Sequence, residues 1–175
     1  MGPSPETVTT SSSRPLPPIR LVPLLPAEFD GFVASLLEAY AQDHVQGGQW
    51  TPERALEQAR AQVTALLPRG VDTPDHYLRT ILKEPEGVAV GRLWYAVRRE
   101  EGPAHLFVYD IIIAESARGK GYGEAAMRAL EPIAREMGLP RIALHVFGHN
   151  EPAIRLYERI GYKPTNLLMS KPVAP

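Results

Sequence analysis

The chain has 175 residues, of which 44% are hydrophobic, and its 19 basic and 20 acidic side chains give a formal net charge of −1. This length and composition predict one globular domain with a real core. The balanced charge argues against nonspecific nucleic-acid binding as the main role. Because the sequence contains no cysteine, disulfides, cysteine-ligated zinc and a cysteine nucleophile are all excluded.

The N-terminal residues 1–17 are rich in proline, serine and threonine, which predicts a flexible tail ahead of a single domain over 18–175. This start lacks the basic and apolar regions of a secretory signal. No stretch approaches the roughly 18 apolar residues that a membrane helix requires. We therefore expect a cytoplasmic protein that does not act at a membrane.

The first half of the chain predicts one strand, two helices and three strands. An apolar run over 19–25 indicates the first strand, and apolar side chains at helical spacing over 29–40 and 55–67 indicate two amphipathic helices. Three further strands are expected near 77–83, 88–97 and 105–113, separated by turns that contain proline and glycine. The last of these is apolar on both faces, which is typical of a central strand covered on both sides.

The second half predicts a helix over 122–137, a strand over 141–147, a helix over 151–160 and a final strand over 167–173. Pro132 lies inside the first of these helices and should bend it or divide it in two. The order β-α-α-β-β-β-α-β-α-β predicts an α/β fold, with a mixed sheet and helices on both faces.

The turn over 118–123 joins the apolar strand to the helix that follows. Its sequence, Arg-Gly-Lys-Gly-Tyr-Gly, combines two basic side chains with glycines that allow positive φ and close approach of a ligand. The unpaired N–H groups at the start of the next helix attract anions, so the turn is suited to a pyrophosphate. It is not a P-loop, since no Gly-Lys-Ser or Gly-Lys-Thr closes it. A tight turn with surface charge is the alternative.

The turn resembles the Arg/Gln-x-x-Gly-x-Gly/Ala motif of the GNAT superfamily of N-acetyltransferases. A second segment is similar to the next strand and helix of that family: the strand over 144–147, then Asn150, then Leu156-Tyr157, then Gly161-Tyr162. Together the two motifs span 106–162. The resemblance implies a mixed, mostly antiparallel central sheet that splays between the fourth and fifth strands. It also implies direct transfer of an acetyl group from acetyl-CoA to a primary amine of a small molecule or peptide in a ternary complex, without a metal.

The resemblance assigns cofactor contacts to three parts of the chain. Backbone N–H groups of the turn would surround the pyrophosphate, from Arg118, Gly119, Lys120, Gly121, Tyr122, Gly123 and Glu124. The backbone of the preceding strand would polarise the thioester carbonyl and pair with the pantetheine arm, at Ile111, Ile112 and Ile113, whose side chains are expected in the core. Asn150 would contact the cofactor arm, and its place before Glu151-Pro152 also suits a helix N-cap.

The catalytic candidates are Tyr157, His145 and Asp110. By the resemblance, the Tyr157 phenol would serve as the acid that protonates the leaving thiolate; a core aromatic residue is the alternative. His145 and Asp110 each interrupt an apolar strand and have side chains that can accept a proton. The alternatives for them are a half-buried strand histidine and a structural carboxylate, and a water chain could replace both. We expect His149 and Glu151 at the surface.

The acceptor would be bound by the first two helices and their connection, as the resemblance implies. The polar and aromatic residues available there are Tyr40, Asp43, His44 and Trp50, with a solvated loop as the alternative. The expected partners are acetyl-CoA and an amine, with no nucleic acid, and the protein would be a monomer or homodimer. Two other functions stay open: an acyl-CoA-binding or regulatory module without activity, and a different enzyme of a phosphate ligand, such as a nucleotide.

Overall fold

A computed structural model of the chain describes residues 15–100, 102–169, 171 and 173. Within these residues, five strands form one sheet and four α-helices pack around it. The strands lie side by side in chain order: β1 (Ile19–Pro23), β2 (His76–Lys83), β3 (Val88–Arg98), β4 (His105–Ile113) and β5 (Ile142–Leu144). The helices are α1 (Phe29–Gln46), α2 (Pro52–Leu66), α3 (Tyr122–Glu136) and α4 (Glu151–Arg159). Neighbouring strands from β1 to β4 are antiparallel and β5 is parallel to β4, which confirms the predicted mixed, mostly antiparallel sheet.

The two faces of the sheet carry separate apolar cores. Helices α1 and α2 cover one face, where Leu36 and Ala59 belong to the same buried cluster as Trp94 of β3. Helix α3 covers the other face, where Met127 is buried in a cluster with Leu93 of β3, and α4 adds half-buried side chains to that cluster. The apolar stripes of the helices therefore meet both sides of the sheet, as predicted from the doubly apolar β4.

A β-bulge interrupts β4 near its middle. Trp94 of β3 is opposite Asp110, whereas the next residue, Tyr95, is opposite Val108, so Tyr109 is an extra residue on β4. Such an insertion bends the strand and increases its local twist. Strand β5 accordingly pairs with β4 only from Leu106 to Val108, and the two strands diverge beyond this point. The predicted splay between the fourth and fifth strands is confirmed.

Two strand predictions in the second half are wrong, one for the end of a strand and one for a whole strand. Strand β5 ends at Leu144 and not at residue 147, because β4 turns away at the bulge and leaves the following residues without a partner strand. The described residues of 167–173 form no strand, and residues 170 and 172 lie outside the described part. The side chains of Leu167, Leu168 and Met169 are at least 75% exposed, so no packing partner holds them beside the sheet.

Helix α3 continues through Pro132 as one element, so the alternative of two separate helices is not observed. Residues 1–14 of the predicted tail lie outside the described part of the chain. Pro17 lies beside the turn that precedes α3, where a Cβ built on Gly121 would be 3.1 Å from its Cδ. No helix among the described residues is long and apolar enough to cross a membrane.

Candidate functional site

A cleft of about 610 Å³ opens where β4 and β5 diverge. Its walls come from the bulged part of β4, from the chain that follows β5, and from α1, α2 and α4. Outside the glycine-rich turn, eleven site residues were predicted from the sequence, and the cleft brings together nine of them: Tyr40, Asp43, His44, Asp110, Ile111, Ile112, His145, Asn150 and Tyr157. Ile113 lies farther along β4, where its side chain packs against the α3 core, as expected.

The glycine-rich turn lies beyond the end of β4 and leads into α3. Gly119 and Gly121 have φ values of +71° and +91°, which side chains rarely adopt, so glycine is required at both positions. Gly121 is the N-cap of α3, and the first N–H groups of the helix therefore have no carbonyl partner within it. The side chains of Arg118 and Lys120 donate to the carbonyls of Ile113 and Ser116, at 3.1 and 2.8 Å. The turn thus offers an anion both backbone N–H groups and nearby positive charge.

The open edge of β4 connects this turn to the cleft. Past Val108, no strand among the described residues pairs with β4 on the side where β5 lies. Backbone N–H and C=O groups on such an edge are available to an extended ligand, which can bind as an additional strand. The open edge and the anion-binding turn together fit a long ligand that ends in a pyrophosphate.

Tyr157 lies on α4, two turns after Asn150, and its side chain is half-buried at the cleft. Burial raises the pKa of the phenol, and the nearby negative charge of Asp110 raises it further. The phenol therefore stays protonated at neutral pH, as a proton donor must. Tyr157 also packs against the α3 core, with its ring centroid 5.8 Å from that of Tyr162, so the structure supports a packing role as well.

Asp110 follows the bulged residue, and its side chain is largely buried, with 12% of its surface exposed. Arg92 of β3 donates from Nε to Oδ2 of Asp110 at 2.9 Å and from Nη1 to the Ser35 hydroxyl on α1. Burial raises the pKa of Asp110, and the opposing effect of Arg92 does not reverse this rise. The carboxylate is consequently a better proton acceptor than an exposed aspartate.

Three predictions beyond β5 have different outcomes. The side chain of Asn150 accepts a hydrogen bond from the Ala153 N–H at 3.3 Å, which confirms the predicted helix cap. His145 lines the cleft but is exposed and lies past the end of the short β5, so it is not a half-buried strand histidine. Glu151 is exposed as predicted, whereas His149 is partly buried, with Nε2 3.3 Å from Oδ1 of Asp43.

Three of the four residues predicted for the acceptor, Tyr40, His44 and Trp50, pack with Phe147 in a set of rings that we call the aromatic cluster. The fourth, Asp43, lines the cleft. The His44 ring is stacked on Trp50 at a centroid distance of 3.8 Å, and Tyr40 and Phe147 meet His44 edge-on at 4.4 and 4.9 Å. Burial lowers the pKa of His44, an effect only partly opposed by a hydrogen bond with Gln49. The connection between α1 and α2 therefore contributes to a cleft wall and is not simply a loop in solvent.

Sequence reasoning missed three residues of the cleft region: Arg92, Tyr109 and Phe147. An arginine inside the apolar β3 sequence was a signal, because a buried cation requires an anionic partner. The register shift that makes Tyr109 the bulged residue has no clear mark in the sequence. Phe147 was interpreted as a core residue because the predicted strand included it.

The chain matches the acetyltransferase (GNAT) family over residues 33–162. It is 40% identical over 153 residues to YycN of Bacillus subtilis, named an uncharacterized N-acetyltransferase, with 87% of this chain and 97% of that protein covered. A crystal structure of YycN gives a TM-score of 0.85 at 38% identity, covering 90% of this chain and 100% of that one.

A more distant relative is the mycothiol acetyltransferase of Salinispora tropica, 31% identical over 162 residues, which cover 91% of this chain and 46% of that protein. The matched family region contains the whole cleft and the glycine-rich turn. The match over most of the chain and the similarity to YycN in sequence and structure lead to one conclusion: the chain belongs to the GNAT family of acetyltransferases.

Proposed function

We propose that the protein transfers an acetyl group from acetyl-CoA to a primary amine of a small molecule or peptide, directly within a ternary complex. The observation that carries this proposal is the cleft at the β4–β5 opening, which holds a protonated phenol and a buried carboxylate beside an open strand edge. An acid, a base and a place for an extended thioester are the parts that direct acetyl transfer requires.

The donor would be held by backbone groups. The N–H groups from Arg118 to Glu124 suit the pyrophosphate, and the open edge of β4 beyond Val108 suits the pantetheine arm. A backbone N–H near Ile111 would stabilise negative charge that develops on the thioester oxygen during attack. Asn150, which caps α4 and lines the cleft, would contact the arm from the other side.

In the reaction, a C–N bond forms, the C–S bond breaks, and two protons leave the amine nitrogen. We assign the first proton to Asp110, because its burial and raised pKa favour acceptance. Asp110 then releases this proton to solvent. Tyr157 donates its phenolic proton to the thiolate sulfur and regains one from the nitrogen, so the products are an amide and free CoA. His145, exposed at the rim of the cleft, would assist through water.

The test of this function uses the variant Tyr157→Phe. We expect kcat to fall about 100-fold, as is typical when an acid is removed, whereas the Kd for CoA should stay nearly unchanged. Turnover on an amine panel can be followed by a thiol reagent that detects free CoA, and the protein gives no background because it has no cysteine. An unchanged kcat would eliminate Tyr157 as the acid.

Tyr162→Phe is the matched control. The Tyr162 hydroxyl is buried and has no hydrogen-bond partner in the part of the chain that the structure describes, and its ring is the neighbour of the Tyr157 ring. Its removal should therefore leave kcat close to that of the unmodified protein. Saturable binding of CoA without turnover on any amine would replace the proposed function with that of a binding module. Displacement of CoA by equimolar ATP would instead indicate a nucleotide-binding enzyme.

A further inference from the structure

Resting on the proposed transfer function, we infer that the preferred acceptor is a small monoamine with a flat, apolar body next to the amino group, such as an arylalkylamine. The acceptor would meet the donor on the α1 side of the cleft. Three properties of this region support it: its rings, its charge and its fixed shape.

Aromatic rings bound the cleft on two sides. On the α1 side lies the aromatic cluster, of which Tyr40, His44 and Phe147 line the cavity directly. On the sheet side, Trp94 and Tyr109 are stacked at a centroid distance of 4.5 Å, and Phe107 meets Tyr109 edge-on at 4.9 Å. A ligand between two such walls gains most from a flat apolar group that can stack or make edge contacts with the rings.

The charges of the cleft suit a single ammonium group. Among the described residues, and apart from the histidines His44 and His145, the acidic and basic side chains that line it are Asp43, Arg98 and Asp110. The charge of Asp110 is balanced by Arg92, and the Arg98 guanidinium lies 5.1 Å above the Phe107 ring. Only Asp43 then adds negative charge on the acceptor side. Arg98 is itself paired with Glu100, whose Oε2 lies 3.8 Å from the Arg98 Nε. A polycation would bring additional positive charges to a lining that, among the described residues, has no carboxylate besides Asp43 and Asp110, so it should bind less well.

The position of the Phe147 ring is restricted by its close approach to the backbone of Gly47. A Cβ built on Gly47, just after α1, would be 3.0 Å from Cδ1 of Phe147. The absence of a side chain at residue 47 therefore lets Phe147 pack against the end of α1 and reach the His44 ring. A wall held in this way is preorganised, which reduces the entropy lost when a rigid ligand binds.

The experiment compares kcat/KM for four amines at saturating acetyl-CoA: phenethylamine, n-hexylamine, ethanolamine and spermidine. We expect phenethylamine to exceed ethanolamine and spermidine at least tenfold and to exceed n-hexylamine by a smaller factor. Phe147→Ala should lower kcat/KM about tenfold for phenethylamine and much less for ethanolamine, with the KM for acetyl-CoA unchanged. Leu56→Ala, at an exposed position of α2 outside the cleft lining, is the control. It should leave kcat/KM unchanged for phenethylamine and for ethanolamine. Equal or greater kcat/KM for ethanolamine or spermidine would overturn the inference.

A binding measurement separates this inference from the transfer function. The two tryptophans of the chain, Trp50 and Trp94, belong to the two aromatic walls, so intrinsic fluorescence reports on the cleft. With CoA bound, phenethylamine should change the emission saturably, and ethanolamine should not at the same concentration. Such binding without turnover on any amine would refute the transfer function and support the acceptor class. Turnover of polar amines without binding of phenethylamine would support the transfer function and refute the proposed acceptor class. If no amine is turned over and phenethylamine does not bind, the transfer function and the acceptor class are both refuted.

Discussion

Asp110 occupies a position where its negative charge is unfavourable to folding. The unfolded chain ionises this carboxyl with a pKa near 3.8, and burial in the folded protein raises the pKa above that value. When the pKa of a carboxyl is higher in the folded protein than in the unfolded chain, the free energy of unfolding falls as pH increases from the unfolded pKa to the folded pKa. Above the folded pKa, this loss of stability stays constant. The same burial makes the carboxylate a better base, so stability and the proposed catalytic role oppose each other at this residue.

Asp110→Asn should reveal this opposition. We expect turnover at pH 7 to fall at least tenfold, because an amide cannot accept the proton. The free energy of unfolding should match or exceed that of the parent at pH 7, because the amide oxygen can still accept from Arg92. The difference in free energy of unfolding between the variant and the parent should favour the variant more at pH 7 than at pH 3.5. Urea unfolding at both pH values measures this, and a clear loss of stability at pH 7 would contradict the assignment.

Asp110→Ala is the comparison that isolates the hydrogen bond to Arg92. It leaves Nε of the partly buried Arg92 guanidinium, of which Nη2 already lacks a partner among the described residues, without an acceptor. A buried donor left without an acceptor typically costs about 1–3 kcal/mol. The alanine variant should therefore lose stability where the asparagine variant does not. Similar stabilities for the two variants would mean that the Arg92 contact contributes little.

At the scale of elements, the close approach of β3 and β4 depends on Gly91. A methyl group at this position would overlap the carbonyl oxygen of Ile112 and lie 3.0 Å from Cδ1 of Ile113. Gly91→Ala should separate the strands and cost about 1–3 kcal/mol, the usual range for overpacking. The displacement would reach the part of β4 that borders the open edge, so CoA affinity should fall as well. Thermal unfolding and a CoA titration measure the two effects.

Gly31→Ala is a control for which we expect the opposite effect on stability. Gly31 lies in α1, and a Cβ there meets nothing within 4 Å. Alanine is favoured over glycine in helices by up to about 1 kcal/mol, so this variant should be slightly more stable than the parent. If both substitutions had the same effect, the steric explanation for Gly91 would be wrong.

The elements of the fold were largely predictable from sequence, and the site was predictable in part. Hydrophobic periodicity located β2, β3, β4 and all four helices, because each must bury one face. It failed for residues 167–173, where apolar side chains remain exposed, and at the end of β5, whose length depends on the path of β4. The cleft residues with distinctive chemistry, such as Tyr157, were identified through the family motif. The Arg92–Asp110 pair depends on the register between two strands, which local patterns do not encode.

For the molecule as a whole, a ligand that binds only the folded chain must stabilise it. At 100 times its Kd, CoA should add about 2.7 kcal/mol to the free energy of unfolding, which corresponds to a rise in Tm of roughly 5–11 °C for a chain of this length. ATP at the same concentration should produce a much smaller shift, because it has no pantetheine arm to pair with the open edge of β4. Differential scanning fluorimetry makes the comparison directly, and equal shifts would contradict binding along that edge.

The two faces of the sheet carry different parts of the proposed function, the donor site on one and most of the acceptor site on the other. This separation has an evolutionary consequence. The turn and α4, assigned to the donor and the acid, pack on the α3 face, whereas most of the aromatic cluster comes from α1 and its connection to α2 on the opposite face. The two apolar clusters share no buried residue. Descendants of such a protein can therefore exchange one acceptor for another by substitutions in the first two helices, while selection conserves the half assigned to the donor.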